Sequence, residues 1–393
     1  MNPASRPLTI LEVSEPNKDG VFIHVRGLLR HLLKSGHALI YAYSDKRAAS
    51  QLEGLLAELD KGGIAVKNIR VGNTPCPGDI GAIIWILWVT HMRKPDVVHG
   101  HSSKAGALIR LAAMLLPGPA YIYTPHAYYS MSERPKGLRI GYWWLERAMA
   151  SLATTINISR DERRFALEQL KLGDAKASIA PNPVDLDKFT EADSTTRARL
   201  RDHWGVPRDA IVFGVLARFG EQKDLGTFYD AATRCAKHNS RLHFMHLGAG
   251  KEIESLLDTT AQNGVRKQFT HIEYLEDTAP FYACLDGFVI TSRFEAGWPI
   301  VMLEALALGL PLITTQFVGI QANDPKDLSH ASLVPVGAVE LLAGELFKTA
   351  EALAKGRVLT NHRAYVEKHF APAVCCGLVE DIYQSLTDSR PAV

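Results

Sequence analysis

Residues 291–315 read TSRFEAGWPIVMLEALALGLPLITT. The segment closes one apolar run, GFVITSR (287–293), and opens another, LPLITT (310–315). Between them, Pro299 suits the first turn of a helix. Ile300–Leu308 is apolar all round, which predicts a buried helix. Gly309 is a natural stop after it. Strand, loop, buried helix and strand in 25 residues is the unit of a parallel α/β sheet. Glu295 and Glu304 interrupt this apolar stretch. Glu304 lies about one and a half turns into the buried helix, where an unpartnered carboxylate is costly. It needs a cation, or hydroxyl and amide donors; the two hydroxyls of a ribose would serve. Glu295 sits at the helix mouth, where backbone N–H groups favour anions.

Working outward, the same unit recurs. LTILEVS (8–14) is a β run, followed by a loop carrying Gly20 and a helix over Val21–Ser35. In that helix Val21, Val25, Leu28, Leu29 and Leu32 share a face. Further β runs are HALIYAYS (37–44), DVVHGHS (96–102), AYIYTPHA (120–127), TTINISR (154–160) and ASIAPNPV (177–184). PNPVDLDKF (181–189) reads as a linker. The pattern then restarts with AIVFGVLAR (210–218), LHFMHLGAG (242–250), GFVITSR and LPLITTQ (310–316). Val366–Leu386 reads as one amphipathic helix. The expected organisation is α/β: two doubly wound parallel-sheet domains, 1–188 and 189–370, with a C-terminal helical segment, 371–393.

The bulk composition is that of a globular chain of 393 residues, 47% hydrophobic and 22% charged. Net charge is +2 but unevenly spread: 24 Lys and Arg against 17 Asp and Glu over residues 1–190, and 20 against 25 over the rest. The basic N-terminal half suits an anionic surface or ligand and falls short of a nucleic-acid footprint. The five cysteines form no CxxC and read as reduced thiols of a cytosolic protein. Ile80–Thr90, at eleven residues, is too short to span a bilayer and is read as a buried helix.

In open parallel sheets, ligands bind beyond the carboxyl ends of the strands. The loops there carry the candidate chemistry. ARFGEQKDLG (217–226) sets Arg218 and Lys223 before a helix, two cations suited to a pyrophosphate. HLGAGKE (246–252) places Gly248 and Gly250 in a strand-to-helix turn. TPHAYY (124–129) sets His126 at a strand end, either as a substrate contact or as a structural histidine. HGHSSKAG (99–106) offers hydroxyls to cap a helix. Ser102 and Ser103 lack the partners of a nucleophile. A zinc site at the two histidines is rejected, because no carboxylate or cysteine backs them at ligand spacing.

Taken in order, DVVHGHSSKAG, YTPHAYY, NISR, PNPVD, GVLARFGEQKD, HLGAG and SRFEAGWPIVMLEALALGLPLITT resemble the retaining glycosyltransferases of family GT4, with the GT-B fold. The resemblance runs nearly the whole length. It implies two Rossmann-like domains facing across a cleft and a C-terminal helix crossing back to the N-terminal domain. It implies that Arg218 and Lys223 contact the diphosphate of a nucleotide sugar, that Glu304 holds the ribose, and that Glu295 lies near the donor sugar. Gly248, Gly250, Ala296, Gly297 and Trp298 complete the donor site. His126 is implied to touch the sugar and assist at the reacting carbon. Gly20, His101, Ser102, Lys104 and Tyr128 are implied on the acceptor side.

This sequence departs from the family pattern in three places: the acids are spaced E-x8-E rather than E-x7-E, Asp19-Gly20 replaces a Gly-Gly pair, and a GxD-type segment appears as Asn182-Pro183-Val184-Asp185. The implied reaction transfers a sugar from an NDP-sugar, a UDP-sugar foremost, with retained anomeric configuration. The acceptor is lipid-linked or a saccharide, in bacterial surface polysaccharide synthesis. No metal or other cofactor is expected, because Arg218, Lys223 and helix N-termini can stabilise the leaving group. The expected location is cytoplasmic; the segment with Arg134, Lys136, Arg139 and Arg147 around Tyr142, Trp143 and Trp144 reads either as a helix lying on the inner membrane face or as a core helix with solvated charges. The alternatives are a sugar-nucleotide epimerase on the same fold and a non-catalytic scaffold.

Overall fold

The computed structural model describes residues 6–131, 136–317, 320, 331–356 and 362–389. Arg134, counted above toward a membrane face, lies outside them. The chain divides into two compact units, Met1–Pro183 with Pro372–Val393, and Val184–Ala371.

The first unit runs β1 (Thr9–Ser14), α1 (Asp19–Lys34), β2 (Ala38–Tyr43), α2 (Leu52–Lys61), β3 (Ala65–Asn68), α3 (Gly78–Arg93), β4 (Val97–His101) and α4 (Ser102–Leu115). β5 (Ala120–Thr124), α5 (Lys136–Met149), β6 (Thr154–Asn157), α6 (Arg160–Glu168) and β7 (Ala177–Ile179) follow. Its sheet is parallel in the order β3-β2-β1-β4-β5-β6-β7 among the described residues. The order reverses at β1 and β4, where Ser14 stands opposite His101. One face of the sheet is covered by α3 and α4, with Ile86, Val89, Leu108 and Ile109 on Leu11 and Val98. The other face takes α1 with Val25, Leu28 and Leu32.

The second unit runs α7 (Ser194–His203), β8 (Ile211–Leu216), α8 (Leu225–His238), β9 (Leu242–Leu247), α9 (Ile253–Gln262), β10 (Phe269–Ile272), α10 (Ala279–Ala283) and β11 (Gly287–Ile290). α11 (Ile300–Ala307), β12 (Leu312–Thr315), β13 (Ala331–Val334), α12 (Val339–Ala354) and α13 (His362–Phe370) complete it. Its sheet, again parallel, has the order β10-β9-β8-β11-β12-β13, with the reversal at β8 and β11.

α14 (Pro372–Asp388) belongs to the first unit. Its Cys376, Val379 and Tyr383 are buried in the core on the α1 face of the sheet. Glu380 of α14 accepts hydrogen bonds from His31, Ser35 and His37. The helix thus packs back on the N-terminal domain as the resemblance implied. Val366–Leu386 is not one helix: α13 ends at Phe370 and α14 starts at Pro372. Proline lacks the N–H that would continue the ladder and disfavours helical backbone at the residue before it.

α3 corrects a second expectation. Ala82, Ile86, Val89 and Thr90 are buried, but Ile80, Ile84, Trp88 and Met92 are exposed, Ile80 by 64%. The helix is buried on one face and apolar on both. Among the described residues, no helix is long and apolar enough to cross a membrane.

Candidate functional site

In the second unit, the loops after β8 and β11 meet at the switch point. Arg293 N donates to Gln222 O at 2.8 Å, and Thr291 Oγ1 donates to Lys223 O at 2.9 Å. Lys223 Nζ lies 2.5 Å from Glu295 Oε1, and Gln222 Nε2 donates to Phe294 O at 2.8 Å. Lys223 and Glu295 face one small pocket with Ala217, Ser292 and Pro299. Arg218 is exposed at the end of β8. Asp224, left-handed at φ 46°, stands at the N-cap position of α8, and Arg293 sits 3.3 Å from its carboxylate.

The glycines of the next loop are dictated by close approach. Gly248 has φ +153°, and a Cβ there would lie 2.0 Å from Ala217 O. A Cβ on Gly250 would lie 2.2 Å from the Phe219 Cβ. Both glycines let the loop after β9 press on the loop that carries Arg218 and Lys223.

α11 is buried as expected, with Gly309 left-handed at φ 66° just past its end. Pro299 stands at the N-cap position, one residue ahead of the first turn. Glu304 is 5% exposed, and its Oε2 accepts the Tyr282 hydroxyl at 2.8 Å. Burial pushes its carboxyl up from 4.5 to about 7, against the pull of the Tyr282 hydrogen bond and the Lys188 charge. Ala296 and Trp298 are buried, and the indole stacks on Phe370 at 5.1 Å. Trp298 therefore shapes the loop from within unit two. The sequence reading missed Tyr282 and Gln222. Neither has a local signal, since each is identified only by what lies opposite it in the fold.

The first unit has its own polar cluster at the β1–β4 switch point. Glu12 and His101 are fully buried in adjoining strands, with Glu12 Oε2 2.8 Å from His101 Nε2. Glu12 Oε1 accepts the Tyr383 hydroxyl at 2.8 Å. His99 pairs with that hydroxyl through Nδ1 and with Thr124 Oγ1 at 2.8 Å through Nε2. His101 Nδ1 lies 3.2 Å from His126 Nε2. His24, from α1, joins them with ring centroids 4.7 Å from His126 and 5.6 Å from His101. Its Nδ1 is 3.1 Å from Asn182 Oδ1. Burial would raise the Glu12 carboxyl, but His99 and His101 outweigh it and hold it below its ordinary value. Burial drives His24 down to about 3 and His101 to about 4, and holds His126 well below 6.5, so these rings are neutral near pH 7.

Four expectations for this unit need correction. The two histidines of HGH do have a carboxylate behind them, because strand pairing brings Glu12 against His99. The ground for rejecting a metal there, argued from spacing alone, does not hold. Gly20 is the second residue of α1, not a loop glycine; its neighbour Asp19 takes the left-handed turn at φ 54°. Tyr128, 1% exposed with its hydroxyl on Asn157, and His101, wholly buried, leave no side-chain surface for an acceptor. Ser102 opens α4 with φ 75°, and no side chain caps that helix. Lys104 Nζ is held by Asp79 and by Thr74 O at 2.9 Å.

His126 and Ala127 both have left-handed backbones, at φ 51° and 86°. Buried Glu162 fixes them, accepting from Ala127 N at 2.7 Å and Ile158 N at 2.6 Å. Ser159 caps α6 by accepting from Glu162 N. The sequence carried that signal, since Ser159-Arg160-Asp161-Glu162 is an S-x-x-E capping pattern. Glu12 was also detectable by the argument applied to Glu304, an acid inside an apolar run.

A family model described as Glycosyltransferase Family 4 matches residues 18–188. A second, described as Glycosyl transferases group 1, matches 210–351. The chain is 29% identical over 246 residues to the UDP-Gal:alpha-D-GlcNAc-diphosphoundecaprenol alpha-1,3-galactosyltransferase of Escherichia coli. That match covers 61% of this chain and 63% of the relative, so the chain spans a little under two thirds of its length. It is 22% identical to the capsular polysaccharide biosynthesis glycosyltransferase CapM of Staphylococcus aureus, over 78% of this chain and 81% of the relative. Anabaena HepE in complex with UDP superposes with a TM-score of 0.78 at 16% identity, covering 96% of this chain and 100% of that one. The two models follow one another along the two parallel sheets, and the chain belongs to the GT-B glycosyltransferases of family GT4.

Proposed function

We propose that this chain transfers a sugar from a UDP-sugar, with retained configuration, to a lipid-linked or saccharide acceptor in the building of bacterial surface polysaccharide. The observation that carries the reading is the Lys223–Glu295 pair at the β8–β11 switch point, where open parallel sheets take their ligands. The E. coli relative is named for a UDP-Gal donor and a diphosphoundecaprenol acceptor, and HepE was crystallised with UDP.

In this reading the diphosphate takes Lys223 from Glu295 and adds Arg218, while Glu304 exchanges the Tyr282 hydroxyl for ribose hydroxyls. Glu295 and the backbone of Ala296 and Gly297 then face the sugar, with Trp298 as their support. The bond from the anomeric carbon to the diphosphate oxygen breaks, and its electron pair stays on the diphosphate. The acceptor oxygen bonds to the anomeric carbon on the face just vacated, and its proton passes to the departing phosphate. Preorganised cations lower that barrier without a metal on the diphosphate.

A lipid-linked acceptor places the enzyme at the cytoplasmic membrane face. The exposed stripe Ile80, Ile84, Trp88 and Met92, with Arg93 and Lys94 at its end, is the surface we assign to that contact.

The test is calorimetric titration of the purified chain with UDP, GDP and ADP, beside Glu304→Ala. UDP is expected to bind, with at least about tenfold weaker affinity in the variant, the loss of a charge-assisted hydrogen bond. No binding of any nucleotide would return the two acids to a structural role.

A further inference from the structure

The histidine cluster of the first unit lies outside the diphosphate chemistry. We infer that His24, His101 and His126 form a three-imidazole site for a divalent transition metal of the zinc class. One ring nitrogen from each residue lies within 4.8 Å of the other two. His101 Nδ1 and His126 Nε2 are already 3.2 Å apart. A tetrahedral zinc with Zn–N bonds of ~2.0–2.1 Å needs its nitrogens about 3.3–3.4 Å from one another, so that pair is at ligand spacing.

His24 supplies the independent observation. Its side chain is 2% exposed, and its Nε2 is buried without a hydrogen-bond partner. A buried ring nitrogen left bare is costly and calls for an explanation. Asn182 Oδ1, an acceptor, makes Nδ1 the protonated nitrogen and leaves the lone pair on Nε2. Glu12 does the same for His101: the carboxylate accepts from Nε2–H and leaves the lone pair on Nδ1. A metal-ligating histidine with its other nitrogen bonded to a carboxylate or amide oxygen is the usual outer arrangement of such sites. His126 completes the set by moving its proton from Nε2 to Nδ1, so no ring needs to lose charge. Its strained backbone, pinned by Glu162, fixes where that ring stands.

The neighbouring trio Glu12, His99 and His101 also has ligand spacing, but it is saturated. Both His99 nitrogens and both Glu12 oxygens have partners in Tyr383, Thr124 and His101. The metal seat is therefore on the His24 side. Three imidazoles leave a fourth position for water or a hydroxyl-bearing ligand. All three histidines belong to the first unit, so the binding claim does not depend on the transfer reading of the second.

The test uses the untagged full chain, stripped with a chelator and titrated with Co2+ as the spectroscopic probe. One equivalent is expected to give the intense visible absorption of four-coordinate cobalt, discharged by Zn2+. Asn182→Ala keeps all three ligands and is expected to weaken Co2+ binding about tenfold through the outer shell. His24→Ala is expected to abolish the band. Absence of the band in the wild-type chain overturns the inference whatever the variants do. So does an undiminished band in His24→Ala.

Discussion

At the residue scale, Glu304 sets a pH dependence that can be worked out in sign. Its carboxyl is raised from 4.5 to about 7 by burial in α11. Below the ordinary value, both the folded and unfolded carboxyls are protonated and the residue costs nothing. As pH rises toward 7 the unfolded carboxyl ionises while the folded one stays neutral, so stability is lost across that window. The loss amounts to about 3 kcal/mol at full extent. Glu304→Gln removes it. Denaturation of wild type and variant at about pH 4 and about pH 8 is expected to show near equality at the lower pH and a gain for Gln at the higher. An equal difference at both would mean that burial does not hold the proton there. The same proton opposes a ribose, since only the carboxylate accepts from two hydroxyls, so UDP affinity is expected to fall as pH drops below 7. Glu304 was legible in the sequence because an acid in an apolar run must have a partner. Tyr282 was not, because a tyrosine 22 residues upstream carries no mark of facing α11.

At the element scale, the loop after β9 is held against the loop after β8 with no room for a side chain. Gly248→Ala puts a methyl 2.0 Å from a backbone carbonyl, at φ +153°. Backbone on both sides leaves nothing flexible to yield, so a cost of roughly 3 kcal/mol or more is expected as a fall in melting temperature of the second unit. Gly226→Ala, where a Cβ meets nothing within 4 Å, is the control expected to leave it nearly unchanged. The docking of α14 gives a second prediction. Tyr383→Phe takes the hydroxyl from wholly buried Glu12 and His99, and is expected to destabilise by about 1–3 kcal/mol in chemical denaturation.

The central strands were readable because parallel strands buried on both faces are long apolar runs. β3, β10 and β13 were not read. AVKN of β3 is mostly exposed, and all three are strands of four residues at the edges of their sheets. The helix read over Val366–Leu386 failed for another reason. Its apolar period continues through Ala371–Pro372, while the backbone does not.

At the scale of the whole molecule, the charge excess of the N-terminal half and the apolar stripe of α3 point the same way. The stripe repeats every four residues, so Ile80, Ile84, Trp88 and Met92 share one face of the helix. Each is more than half exposed. On α5, Leu138 and Trp144 are exposed to a similar degree, with Arg139 beside them. A chain that kept these side chains in water alone would pay for them in solubility; a lipid surface buries them. Helices lying in the interface combine such apolar faces with attraction of Lys and Arg to anionic headgroups. The chain is therefore expected to co-sediment with phosphatidylglycerol vesicles, weakly with phosphatidylcholine alone, and less as salt is raised. Ile84→Ser with Trp88→Ser is expected to weaken vesicle binding by at least about tenfold, the loss of one to two buried side chains' worth of transfer energy. The same pair should leave calorimetric UDP binding intact, because α3 belongs to the first unit and the proposed nucleotide residues to the second. Vesicle binding unchanged by the double substitution would assign the stripe to a protein contact instead.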